Sequence, residues 1–134
     1  MPAHNESENL RWLLPHIGEV LPRIACRYDV VVVDDGSTDG TADTACALGR
    51  QLGMDVRVVT HPSKQGYGAA VGDGLRSADL EYTAFLDADG QLDPADLALL
   101  VPKLTDADLV AGWRQTREDP PSAPSSATRS TCSC

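Results

Sequence analysis

Apolar residues recur along the chain in two alternating periods. Leu10, Leu13, Leu14, Ile17, Val20 and Leu21 fall at helical spacing, which predicts a first helix with one apolar face. Asn5 stands where it can cap that helix, with Glu8 three residues on as a capping-box partner. Pro15 lies inside and predicts a kink. Residues 28–33, YDVVVV, are a continuous β-branched run, the composition of a strand covered on both faces. DDGSTDGT interrupts it, and Ala42, Ala45, Cys46, Leu48 and Leu52 predict a second helix. DVRVVTH (55–61) alternates as a strand. A loop with Gly66 and Gly68 then leads into a helix carrying Ala69, Ala70, Val71 and Leu75. EYTAFL (81–86) predicts another strand. After it, Asp93 is placed to cap a helix with Pro94 at its first position, where proline is favoured. DLVAGW (108–113) predicts one more strand.

Strand and helix in strict alternation predict an α/β fold built on a mostly parallel sheet. Ligands of such sheets bind outside the carboxyl ends of the strands. Asp34 and Asp35 end one predicted strand, and Asp87 and Asp89 end another, so both pairs are expected at the same edge.

Two carboxylates on one short loop can share a hard divalent cation. Mg²⁺ takes one or two protein carboxylates and leaves its other positions to water and substrate phosphate. A bare acid pair at a strand end repels itself, and a cation relieves that repulsion. The competing reading is a polar turn whose acids cap the next helix, and it is preferred for Asp93. DDGSTDGT has two readings: a turn in which Gly36 and Gly40 take positive φ, or a ligand contact through Asp34 at the strand tip. Lys64 is either a phosphate contact or a solvated loop lysine. The loop HPSKQGYGAA (61–70) lacks the P-loop pattern, and no G-x-G-x-x-G follows a strand. The three histidines, His4, His16 and His61, are scattered, and His16 is expected on a helix surface.

Charge narrows the partners. The net charge of −9 argues against nucleic acid, which needs a basic surface, and against simple electrostatic attachment to anionic lipid. Only six residues are Phe, Trp or Tyr, so Val, Leu and Ala must build the core. Cys26 and Cys46 lack zinc spacing and are expected to pack as small apolar residues. No run is long enough to span a bilayer and no signal peptide is evident, which predicts a cytoplasmic location.

Taken together, PAHNESENL (2–10), VVVVDDGSTDGT (30–41), KQGYGAAVGDGL (64–75), FLDADGQLDP (85–94) and DLVAGWR (108–114) resemble the family 2 glycosyltransferases with a GT-A fold. The likeness is strongest to the dolichyl- or polyprenyl-phosphate mannosyl- and glucosyltransferase branch, and it covers residues 2 to about 119. The resemblance implies a UDP- or GDP-linked sugar donor, Mg²⁺ or Mn²⁺, and inverting displacement at the anomeric carbon. It implies that Pro2, His4 and Glu6 line the nucleotide pocket, and that Asp34 contacts the base or ribose. Asp87, Ala88 and Asp89 match the D-x-D element, with Asp89 the direct metal ligand, Gln91 a metal-side residue and Arg114 a contact of the diphosphate. A lipid-phosphate acceptor is already anionic and needs little help from a base, whereas a hydroxyl acceptor needs one. No candidate base stands out, which favours a polyprenyl phosphate.

The ends depart from the family pattern. Met1 stands where relatives carry a strand, so the first strand is expected to be missing and residues 1–119 to form a partial GT-A domain. PPSAPSSATRSTCSC (120–134) has no periodicity and reads as a disordered or frameshifted tail. Relatives continue with apolar helices that approach the membrane, which implies membrane association at the cytoplasmic face through such a region. The alternative reading is a non-catalytic fragment that binds nucleotide weakly or not at all. A nucleotidyltransferase on a similar sheet would want a glycine- and arginine-rich N-terminal loop, which PAHNESENL is not.

Overall fold

The computed structural model describes residues 1–112. Its elements follow in the order β1 (Pro2–Ala3), α1 (Ser7–Ile24), β2 (Val30–Asp34), α2 (Thr41–Leu52), β3 (Val56–Thr60) and α3 (Tyr67–Arg76). A string of short helical turns then runs through Pro94–Asp96, α4 (Leu97–Leu100) and Val101–Thr105. The three strands form one parallel sheet in the order β1-β2-β3, with Pro2 opposite Val33 and Val30 opposite Val56.

Strand alternation explains how β2 is covered on both faces. Val30 and Val32 join the main core, with Leu10, Leu13, Leu14 and Ile17 of α1 and Ala45 of α2. Val33 turns the other way and meets α3, where Gly74 leaves just enough room: a Cβ there would lie 3.3 Å from Val33 Cγ2. The two crossovers α1 and α2 therefore share one face, and α3 carries the chain back across the other toward β1. The winding reverses beside β1, and this is the switch point where open α/β sheets bind ligands.

Several expectations change. Asn5 does not cap α1. It sits at φ 59°, and its side-chain oxygen accepts from the Thr38 amide at 2.9 Å. The first turn is instead capped from across the sheet edge. Thr41 Oγ1 accepts from Glu6 N–H at 2.9 Å and Asp39 Oδ2 from Ser7 N–H at 3.0 Å. Helix α1 stays helical through Pro15 and Pro22. The first strand is not wholly absent: Pro2 and Ala3 form it, and Val33 N–H also reaches Met1 O at 2.8 Å.

Residues 81–86 are not a strand. A parallel strand needs a neighbour of matching length to take its hydrogen bonds, and β1 provides two residues. Tyr82 and Phe85 are accordingly exposed, and only Leu86 of the segment is buried. Residues 108–112 likewise carry no ladder, and residues 113–134, including Arg114 and the tail, lie outside the described residues. Cys26 is exposed rather than packed, and Cys46 is half-buried. Asp93 does cap the turn at Pro94, accepting from Ala95 N–H at 2.9 Å.

Leu13 is fully buried at the centre of the α1 face. Leu13→Ala should cost about 2–5 kcal/mol, read as a lower urea midpoint with an unchanged denaturant slope.

Candidate functional site

Three segments meet at the switch point: the end of β1, the loop after β3 and the acidic loop after residue 86. They enclose a cleft of about 260 Å³ lined by Pro2, Ala3, His4, Glu6, Asp35, Lys64, Tyr67, Ala70, Asp87, Ala88 and Asp89. Of the residues singled out in the sequence, Pro2, His4, Glu6, Asp87, Ala88 and Asp89 come together here. So does Lys64.

Asp34 is not among the lining residues. It is buried, and its Oδ1 accepts from Ser37 N–H at 3.0 Å, which organises the turn. Its neighbour Asp35 takes the place at the cleft. Adjacent strand residues point to opposite faces, so the doublet DD could send only one acid into the site. Gln91 is exposed beside the acidic loop, and its N–H donates to Asp89 Oδ1 at 3.0 Å. Tyr67, which the sequence reading passed over, donates its hydroxyl to Asp87 Oδ1 at 2.8 Å. Burial and then this bond to Asp87 raise the Tyr67 pKa, so the phenol stays a donor. The Tyr67 ring meets Phe85 edge-on, with centroids 6.2 Å apart.

The acidic loop is braced from outside. Gly90 adopts φ 71°, and a Cβ on it would collide with the Trp12 ring of α1. His16 of the same helix bonds Asp93 at 2.9 Å. This bond and the Ala95 amide hold the Asp93 carboxyl below its ordinary range, the Ala95 contribution being the larger.

Asp35 is the most heavily bonded acid of the site. Oδ1 accepts from Gln65 N–H at 2.7 Å and from His61 Nδ1 at 2.7 Å, and Oδ2 accepts from Gly66 N–H at 2.9 Å. The Gln65 amide, followed by His61, lowers its pKa from 3.8 to about 2. His61, 5% exposed, also bonds Asp73 Oδ2 at 2.9 Å through Nε2. The bonds to Asp35 and then Asp73 raise the His61 pKa above 6.5. His4 donates Nδ1–H to the Asp35 carbonyl at 2.8 Å.

The donor set suits a hard cation. Asp87 and Asp89 offer oxygen ligands on the same cleft wall, and the hydrogen bonds that fix each carboxylate fall on its Oδ1. Among the described residues no group of three or more His, Cys, Asp or Glu is arranged to hold a metal. Two carboxylates with the other positions left to water and substrate oxygens are a ligand set that Mg²⁺ accepts.

Comparison with known proteins gives a consistent picture. The family model described as Glycosyl transferase family 2 matches residues 1–130. Dodecaprenyl-phosphate galacturonate synthase of Rhizobium johnstonii is 31% identical over 121 residues, covering 89% of this chain and 36% of the relative. An uncharacterized glycosyltransferase of Mycobacterium bovis is 40% identical over 116 residues, covering 86% and 47%. Among solved structures, a mannosyltransferase of Pyrobaculum calidifontis, in complex with GDP-Man and Mn²⁺, superposes with TM-score 0.69 at 30% identity. It matches 78% of this chain and 31% of its own. The chain spans between about a third and a half of the length of these curated relatives.

The shifted groups set a pH window for stability. Asp35 titrates lower in the fold than its ordinary 3.8, so its contribution is complete above 3.8 and is lost as pH falls toward about 2. His61 titrates higher than 6.5, so its contribution is complete below 6.5 and is lost as pH rises through the raised value. The urea-midpoint advantage of the wild type over His61→Gln should shrink as pH rises through the raised His61 value, and its advantage over Asp35→Asn should shrink as pH falls below 3.8.

Proposed function

Because the chain belongs to glycosyl transferase family 2 and has the GT-A fold, we propose that its cleft binds the nucleoside diphosphate of a sugar donor and that its activity is transfer of that sugar to a polyprenyl phosphate. The observation that carries this reading is the convergence of the β1 end with Asp87, Ala88 and Asp89 in one cleft at the sheet's switch point.

Each group has a role that follows from its chemistry. Pro2, Ala3 and His4 form one wall, and the Asp35 carbonyl holds the His4 ring in place. That wall suits the nucleoside. Lys64 is a cationic group in an otherwise acidic cleft and suits a phosphate oxygen. Asp87 and Asp89 would hold Mg²⁺ or Mn²⁺, with Gln91 beside them. When bound, the ion neutralises charge on the departing diphosphate. Tyr67 and the Gln91 amide keep the two carboxylates oriented before any ligand arrives. Pre-set groups avoid the ordering cost at the moment of reaction.

Two relatives support the acceptor by their names. One is the galacturonate synthase above. The other is undecaprenyl-phosphate 4-deoxy-4-formamido-L-arabinose transferase of Serratia proteamaculans, 31% identical over 120 residues, covering 89% of this chain and 37% of the relative. A phosphate oxygen is already anionic, so as an acceptor it needs little help from a base. No helix among the described residues is long and apolar enough to cross a membrane.

Calorimetric titration with UDP-glucose and GDP-mannose, with and without Mn²⁺, tests the reading. One donor should bind in a Mn²⁺-dependent manner. Asp89→Asn should weaken that binding by at least tenfold to hundredfold, roughly the loss seen when support for a metal is removed. Equal affinity in chelator, or in Asp87→Asn with Asp89→Asn, would refute it.

A further inference from the structure

Among the described residues, His61 is a buried histidine at the sheet's carboxyl edge that no step above uses. Both of its ring nitrogens face carboxylates, Nδ1 toward Asp35 at 2.7 Å and Nε2 toward Asp73 at 2.9 Å. Ionised carboxylates only accept hydrogen bonds. Asp35 is fixed in that role by the Gln65 and Gly66 amides, and Asp73 by Arg76 Nη2 at 2.5 Å. Both ring nitrogens must therefore carry protons. The ring is an imidazolium joining the end of β3 to the end of β2 on one side and to α3 on the other.

The consequence lies in residues 64–67. Gln65 and Gly66 reach the Asp35 carboxylate through their backbone amides, Lys64 lines the cleft, and Tyr67 opens α3 and holds Asp87. Gly66 sits at φ 99°, and glycine takes positive φ as readily as negative, so local sterics do not fix this segment and outside contacts must. Gly36 lets it come close: a Cβ there would lie 2.6 Å from Lys64 N. Without a proton on His61, a ring lone pair would face a carboxylate, and the acids of β2 and α3 would repel each other across it.

We propose that His61 is a positioning residue: as an imidazolium clamped between Asp35 and Asp73, it locks residues 64–67 against the carboxyl end of β2, so that Lys64 and Tyr67 are presented to the cleft. The charged groups around it are Asp35, just past the end of β2, and Asp73 with its partner Arg76 from α3. The link from His61 to ligand rests on the donor-binding reading given above. The link from His61 to the loop does not.

The test therefore has two readouts on the whole chain. Amide hydrogen exchange is followed at Gln65 and Gly66, with Leu13 and Leu14 of α1 as reference. Affinity for UDP and GDP is measured in Mn²⁺. In His61→Gln and in His61→Ala, Gln65 and Gly66 should lose protection by about tenfold or more, with the α1 amides unchanged. Mn²⁺–nucleotide affinity should fall by about tenfold in both variants, and the wild type's own loss of affinity as pH rises through the raised His61 value should be absent from them. Unchanged protection at Gln65 and Gly66 in a folded variant overturns the proposal. So does an equal loss at every core amide. Should both variants unfold, nitrogen chemical shifts of the His61 ring in the wild type decide: two protonated nitrogens at pH 6.5 uphold the clamp, and a neutral ring overturns it. If the wild type binds neither nucleotide, the functional reading fails, and the exchange pattern still decides the clamp.

Discussion

A carboxylate cut off from water must collect hydrogen bonds or lose its charge, and Asp35 collects three from a segment 30 residues away. Gln65, Gly66 and His61 all converge on its two oxygens. Residues 64–67 have no regular structure to shape them until α3 begins, so this carboxylate shapes them. The cleft depends on that arrangement. Asp35 lines it directly, its carbonyl holds His4, and the segment it organises delivers Lys64 and Tyr67. Among the described residues, no buried side-chain nitrogen or oxygen lacks a partner, which is what makes so polar a sheet edge tolerable.

The same economy governs the turn after β2. DDGSTDGT looks like a self-contained loop, but its side chains work mostly on the opposite segment. Ser37, Asp39 and Thr41 accept from the amides of Asn5, Ser7 and Glu6, and Asn5 returns a bond to Thr38. Burial raises the Asp39 pKa, yet the Thr41 and Ser7 bonds outweigh it and hold the acid at about 2. The entry to α1 and the tip of β2 are thereby joined into one rigid corner, and Glu6 is carried into the cleft with it. The acidic loop has its own brace, Trp12 under Gly90 and His16 on Asp93. Helix α1 thus supports the site at both its N-terminus and its exposed flank.

A cleft built this way would divide the labour that the proposed donor binding asks of it. The carboxylates stand on a loop steadied by Tyr67 and Trp12, the cation Lys64 stands on the loop steadied by Asp35, and the β1 end supplies a wall of backbone and ring. These contacts are made within the protein before a ligand binds, so binding energy is not consumed in assembling the site.

The sequence by itself determined the α/β class, the family, and the order of β2, α2, β3 and α3. Those follow from the period of apolar residues and from motifs carried on contiguous stretches. It predicted Asp87 and Asp89 at the carboxyl edge as the end of a strand; they do line the cleft there, at the end of a segment that forms no ladder. It could not determine whether residues 81–86 pair as a strand, because a ladder needs a partner and the pairing length of β1 is a tertiary fact. Asp34 is the acid expected at the ligand, but it is Asp35 that lines the cleft, and neighbouring residues differ only in the face they take. The cap of α1 misled for the same reason: Asn5 satisfies the local rule, but Thr41 and Asp39 reach the orphan amides first once β1 and β2 pair. His61 and Asp73 are twelve residues apart, and no spacing rule joins them. Only the packing of α3 against the sheet brings two acids to one imidazole.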